Sequence, residues 1–152
     1  MAGNIERTLV ILKPDAIQRG FMGEIISRFE KKGFKIIGLK MMKVDPKLAE
    51  KHYIEHKDKP FYKELVEFIT SGPIVVFVVE GRNAISNVRK MVGATNPEEA
   101  LPGTIRHDYG LHIGKNIIHA SDSKESADRE IDLFFNINEI IEYKRIDEDW
   151  IY

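Results

Sequence analysis

The run Ile74-Val75-Val76-Phe77-Val78-Val79 constrains the fold more than any other stretch. Its β-branched and aromatic residues have the composition and length of a strand, and Ser71-Gly72-Pro73 stops whatever precedes it. A second run, Thr8-Leu9-Val10-Ile11-Leu12, is apolar without alternation, as expected of a central strand covered on both faces. Pro14 ends that run and leaves Lys13 as a cation at the strand exit.

The segments between these runs have helical period. Met22, Ile25, Ile26 and Phe29 form one stripe, with Lys31-Lys32 in the last turn and Gly33 as the stop. Phe34 to Val44 reads as a strand. Asp45-Pro46 then supplies a cap and a first helical residue, and Leu48, Ala49, His52 and Tyr53 make one helix face. Pro60 opens a shorter helix in which Phe61, Leu65, Phe68 and Ile69 have core spacing. After Gly81, Ile85, Val88 and Val92 face inward, with Arg89 near the C-terminal end.

A polar segment rich in Gly and Pro runs from Gly93 to about Lys115. Loops longer than about 12 to 15 residues inside compact domains are functional or disordered, and this one holds Thr95, Asn96 and Arg106, so it reads as functional. A fourth strand ends at His119 and is followed by a helix with Ala127, Ile131, Phe134 and Phe135 inside and Glu130 on an adjacent face. Residues 136–152 read as a tail with a helical turn and an aromatic end, suited to packing on a surface or a neighbour. The order β-α-β-α-α-β-α-loop-β-α, without a glycine fingerprint, predicts a ferredoxin-like split βαβ fold of the α+β class: a four-stranded antiparallel sheet covered by helices. With no linker, low-complexity stretch or repeat, residues 1–152 read as one domain.

Composition narrows the function classes. The chain of 152 residues is 43% apolar and 31% charged, ordinary values for a globular domain, and its formal charge is -1. That balance argues against a nucleic-acid protein with a dominant basic face, so an anionic substrate must be met by local Lys and Arg. The strands are aliphatic apart from Phe34 and Phe77, which also departs from an RNA-binding sheet. With no cysteine there is no disulfide or thiolate site. No run resembles a signal peptide or approaches the ~20 apolar residues of a membrane span. The cytoplasm is the expected compartment.

Asn116-Ile117-Ile118-His119-Ala120-Ser121-Asp122-Ser123 delivers a histidine to a strand-to-helix junction. Asp122 or Ser123 suits an N-cap, and Glu125 completes a possible capping box with Asp122. A helix start favours an anion, and a neutral imidazole is a nucleophile. From this stretch alone His119 is either a buried structural histidine or a covalent phosphate carrier. No G-x-x-x-x-G-K-[ST], no G-x-G-x-x-G after a strand and no H-R-D or D-F-G occurs, so a nucleotide must be held by side chains. Lys13, Arg89, Thr95 and Arg106 are the cationic and hydroxylic candidates. His52 and His56 have the spacing of a helical zinc pair, but Glu55 is out of place for H-E-x-x-H, and a solvated helix face is the expectation.

Several segments in register then resemble one family: Glu6-Arg7-Thr8 leading to Lys13-Pro14-Asp15, Gly72-Pro73, Gly93-Ala94-Thr95-Asn96-Pro97, Pro102-Gly103-Thr104-Ile105-Arg106, and the stretch from Asn116 to Ser123. From Glu6 to Tyr152 the chain resembles a nucleoside diphosphate kinase. The resemblance implies a ping-pong transfer in which a nucleoside triphosphate with Mg²⁺ phosphorylates His119 on Nδ1 and a nucleoside diphosphate collects the group. It assigns to Glu130 the Nε2 proton of His119, and to Ser121 the support of that pair. It makes Lys13, Arg89, Thr95 and Arg106 the phosphate ligands, with Tyr53 beside them, and gives the ribose to Asn116 and Lys13. Phe61 stacks on the base, with Leu65 and Ile113 lining the cleft, consistent with a broad base range that includes ATP and GDP. Mg²⁺ is carried by phosphates and water, with no protein ligand beyond a water-mediated contact at Asp122. The resemblance further implies hexamers or tetramers, the hexamer preferred, and requires neither membrane nor nucleic acid. His107 and Ala16 stand where many members have glycine, and His107 adds bulk and a titratable group after Arg106.

Overall fold

The computed structural model describes residues 4–152. Its four strands are β1 (Ile5–Leu12), β2 (Lys35–Lys43), β3 (Pro73–Arg82) and β4 (Ile118–Ala120), and the helices are α1 (Pro14–Gln18), α2 (Met22–Lys32), α3 (Pro46–His52), α4 (Tyr62–Ile69), α5 (Ala84–Val92), α6 (Ile105–Tyr109) and α7 (Lys124–Phe134). The sheet order is β2-β3-β1-β4 with every pair antiparallel, which is the ferredoxin-like arrangement.

The two apolar runs lie side by side at the centre of the sheet. Thr8 pairs with Val79 and Leu12 with Val75. Leu9 to Leu12 are wholly buried because the faces of β1 meet different cores. Val10 and Leu12 pack with Phe29, Phe77 and Val88, whereas Leu9 and Ile11 pack with Ile69, Val76 and Phe134. Alternation is absent from the sequence because no face is left to water. β4 is short and pairs only with β1, setting His119 opposite Ile11.

Several boundaries differ from the sequence reading, each for a local reason. Pro14 does end β1, but it starts α1, where its fixed φ suits a first helical residue. Pro60 lies in a turn, and the next helix begins at Tyr62 after Phe61. The segment 93–115 contains α6, capped by the Thr104 hydroxyl, which accepts from the His107 amide. α7 is capped by Ser123, whose Oγ accepts from the Ser126 amide at 3.1 Å, rather than by a box between Asp122 and Glu125. β2 stops one residue short of the expected span at each end and carries a register shift between Ile36 and Gly38. The tail is tied along β2 and the far end of β3. Ile141 N-H donates to the Ile37 carbonyl at 2.8 Å, and the Tyr152 hydroxyl accepts from the Arg82 amide at 3.0 Å.

Candidate active site

β4 and α7 are joined by the two polar residues and the cap that follow Ala120, so residues on either side of the junction face one another. His119 Nε2 lies 2.9 Å from Glu130 Oε1, and Ser121 Oγ donates to the same oxygen at 2.7 Å. Burial alone would raise the Glu130 carboxyl, but the hydrogen bonds from His119 and Ser121 and the neighbouring imidazoles outweigh it and hold it below its usual value. An ionised carboxylate only accepts, so the proton of a neutral His119 is on Nε2 and the lone pair is on Nδ1. The His119 side chain is 22% exposed against 5% for Glu130, so the imidazole is open to solvent while the carboxylate that holds it is shielded.

The cations are fixed by the backbone around them. Lys13 Nζ donates to Asn116 Oδ1 at 2.8 Å, and Asn116 Nδ2 donates to the Thr95 carbonyl at 3.1 Å. Burial, then the charge of Arg106, lowers the Lys13 ammonium from 10.5 to about 8, with Asp15 opposing. Arg106 donates to the carbonyls of Asn116 (3.3 Å), Gly93 (3.1 Å) and Ile118 (2.6 Å). Burial and the Arg89 charge lower its guanidinium to about 10. Arg89 Nη1 donates to the Ala120 carbonyl at 3.0 Å. Lys13, Arg89 and Arg106 thus converge on the strand that bears His119. Ile117 holds the turn between them at φ 75, with its amide on Asp15 Oδ2 and its carbonyl accepting from the Lys13 amide.

A chain of rings connects His119 to Phe61. His119 meets His52 at 4.7 Å, His52 meets Tyr53 at 4.6 Å, Tyr53 meets His56 at 6.3 Å and His56 meets Phe61 at 5.7 Å. Burial and Glu130 push the Tyr53 hydroxyl well up, so it stays protonated. Phe61 is 44% exposed, with the Lys59 ammonium over its ring at 5.7 Å. Leu65 is half-buried and packs on the Ile69 core, Thr95 is exposed, and Ile113 is 53% exposed in the loop before Asn116. His107 turns to the Ala100 carbonyl, 3.0 Å from Nδ1, so its bulk ties α6 to the preceding loop.

His52 departs from the sequence reading. It is 4% exposed, not on a solvated face, and α3 ends there, so His56 belongs to the next turn. Its signal was its place on one stripe with Leu48 and Ala49. Burial, then the His119 charge, depresses its imidazole well below the usual value. His52, Tyr53, His56, Asp122, Arg129 and Glu130 line a cleft of about 70 Å³ around His119. A hollow of about 510 Å³ between Gly33, Lys35, Gly81 and Tyr152 contains none of the candidate residues.

Such a site offers one oriented nitrogen nucleophile, separated cations for a polyphosphate and an exposed aromatic face. The comparisons with known proteins agree with it. Residues 6–140 match the family model described as nucleoside diphosphate kinase. The nucleoside diphosphate kinase of Pyrococcus furiosus is 64% identical over 151 residues, covering 97% of this chain and 93% of that protein. The halophilic nucleoside diphosphate kinase of Halobacterium salinarum, solved with CDP, superposes with TM-score 0.95 at 49% identity over 97% of this chain and 98% of that one. The Borrelia burgdorferi nucleoside-diphosphate kinase, solved as a transition state mimic with vanadate and ADP, gives TM-score 0.90 at 43% identity, with 95% of each chain covered.

Proposed function

The chain belongs to the nucleoside diphosphate kinase family, and we propose that it moves the γ-phosphoryl group of a nucleoside triphosphate to a nucleoside diphosphate by way of His119. The observation that carries this reading is the shared oxygen of Glu130, which takes one hydrogen bond from His119 Nε2 and one from Ser121. The Nδ1 lone pair attacks the γ-phosphorus, the bond to the bridging oxygen breaks, and the nucleoside diphosphate leaves. The positive charge that develops on the imidazole is met by Glu130 through Nε2-H, so no proton has to leave in the first half-reaction. The second half-reaction is the reverse, with a different diphosphate as acceptor.

Lys13, Arg89, Arg106 and the Thr95 hydroxyl hold the phosphates in line, Tyr53 lies beside them, and Lys13 and Asn116 hold the ribose hydroxyls. Phe61 stacks on the base, with Leu65 and Ile113 beside it, which admits ATP, GDP and other nucleotides alike. Mg²⁺ fits as a passenger on the substrate phosphates. Glu130 is committed to His119 and Ser121, and Asp122, exposed at the cleft that Glu55 also lines, is placed to reach the ion through water. When bound, Mg²⁺ neutralises phosphate charge.

Residues 1–152 act as one domain in this reading, in the cytoplasm, as a homohexamer, with no membrane or nucleic acid required. Leu101, Leu111, Ile146 and Trp150, between 74% and 102% exposed, support self-association, as do Leu39 and Met41 at 54% on β2 beyond the part of its edge that the tail covers. The deciding experiment incubates the protein with Mg²⁺ and γ-labelled ATP. Label is expected to be covalent, stable to alkali, lost in acid and passed to added GDP. A protein that never takes up label, or a His119→Ala variant that takes it up equally, overturns the reading.

A further inference from the structure

His52 has no part in that reaction, yet it is 4% exposed and both of its ring nitrogens are buried without a hydrogen-bond partner. A neutral imidazole buried in this way leaves one donor and one acceptor unsatisfied, which is unfavourable. The ring is wedged between Tyr53 and Phe134 and set edge-to-face on His119 at 84°.

Its nitrogens have neighbours of another kind. His52, His119 and Glu130 each offer one ligand atom, and these atoms all lie within 4.8 Å of one another. All line the same cleft, which opens to solvent beside Asp122 and His56. Two imidazole nitrogens and one carboxylate oxygen are the donor set of zinc sites that keep a fourth position for water. The same set is a poor match for Mg²⁺ or Ca²⁺, which demand oxygen. Tetrahedral bonds of about 2.0–2.1 Å put ligand atoms roughly 3.4 Å apart, so the widest pair must close by roughly 1.4 Å.

We propose that His52, His119 and Glu130 form an inhibitory site for a borderline-soft divalent cation, Zn²⁺ above all, that switches off the phosphate carrier by fixing its other tautomer. Zn²⁺ forms bonds to a His52 nitrogen, to His119 Nε2 and to a Glu130 oxygen, and sheds water in exchange. The proton that His119 held on Nε2 moves to Nδ1, so the atom that must attack phosphorus loses its lone pair. No proton is released by His119, and no nucleotide ligand is displaced. The inhibition rests on His119 being the carrier; the binding does not.

The test separates these two. Full-length protein is equilibrated by dialysis at buffered free Zn²⁺, and bound metal is measured per chain, with Co²⁺ absorption reporting tetrahedral nitrogen and oxygen coordination. Wild type is expected to bind about one ion per chain. His52→Phe, which keeps the ring packing but offers no ligand, should bind at least about tenfold more weakly. His119→Asn, which leaves the wedge intact, serves where His52→Phe does not fold and should lose the metal as well. Labelling by γ-labelled ATP with Mg²⁺ is then compared with and without Zn²⁺ on wild type and His52→Phe, with suppression expected in wild type alone. Metal retained equally by both variants, as surface sites at His107 and His112 would give, overturns the site. Binding without suppression of label overturns the inhibition. A wild type that takes no label even without Zn²⁺ overturns the phosphohistidine reading instead, and the dialysis result still stands.

Discussion

Replacing Lys13 with methionine should make the unliganded protein more stable near neutral pH while disabling it. The ammonium is buried at the exit of β1, and its depression from 10.5 to about 8 corresponds to a penalty on the charged form of about 3 kcal/mol at about 1.36 kcal/mol per unit. Lys13→Met removes that penalty but also the 2.8 Å bond to Asn116 Oδ1, which is worth about 1.5 kcal/mol. The variant is therefore expected to be more stable by about 1–2 kcal/mol at pH 7, or roughly 5 °C in Tm for a chain of this size. The pH dependence separates the two contributions. Between about pH 8 and 10.5 the unfolded chain binds the lysine proton and the folded chain does not, so wild-type stability rises relative to the variant. The advantage of Lys13→Met should shrink by about 2.5 kcal/mol between pH 7 and 10 and change sign near pH 9. Urea denaturation of both proteins at each pH measures it, with equal m values as the check. A stability difference that stays constant with pH would refute the reasoning. In the wild type, KM for nucleotides should rise as pH passes about 8 and the free enzyme loses this cation.

Other perturbations address the remaining parts of the site. Glu130→Ala should slow phosphorylation of His119 about 10- to 100-fold while nucleotide affinity stays within about threefold, read by rapid quench and by equilibrium binding; equal losses in both would mean that the carboxylate is structural. Gly93→Ala puts a Cβ 2.6 Å from Thr104 Oγ1 at a φ of +91, so a loss of about 2 kcal/mol or more is expected, together with weaker phosphate binding as Arg106 loses its Gly93 partner; calorimetry and a KM measurement check both. Ser123→Ala deletes the α7 cap and should cost about 1 kcal/mol, seen as a lower urea midpoint at unchanged m.

The long apolar runs and helical stripes were legible because each carries its own period or composition, and they were sufficient for an antiparallel sheet. Short helices were not. α1 and α6 are five residues each, too few for a stripe, and they exist because Pro14 and Thr104 start them and tertiary contacts complete them. The cap of α7 was ambiguous because Asp122 and Ser123 have similar chemistry, and backbone geometry chose between them. Within the site, His119 and Glu130 lie close in sequence, so a strand and a helix turn suffice to relate them. His52 could not be connected to His119 in that way, since 67 residues separate them and only the packing of α3 on α7 brings the rings together. The same holds for Phe61, whose route to the histidine runs through His56, a residue without any local sign of its role.

Arg106 has a consequence for chain entropy as well as for charge. Its guanidinium ties the carbonyl of Gly93 to those of Asn116 and Ile118, so it closes the excursion between α5 and β4 at its neck. A covalent cross-link over such a span would be worth about 3 kcal/mol; here the clasp is reversible and electrically charged. Loosening of the loop and loss of the proposed phosphate cation are then one event, so this segment cannot drift open while Arg106 stays in place.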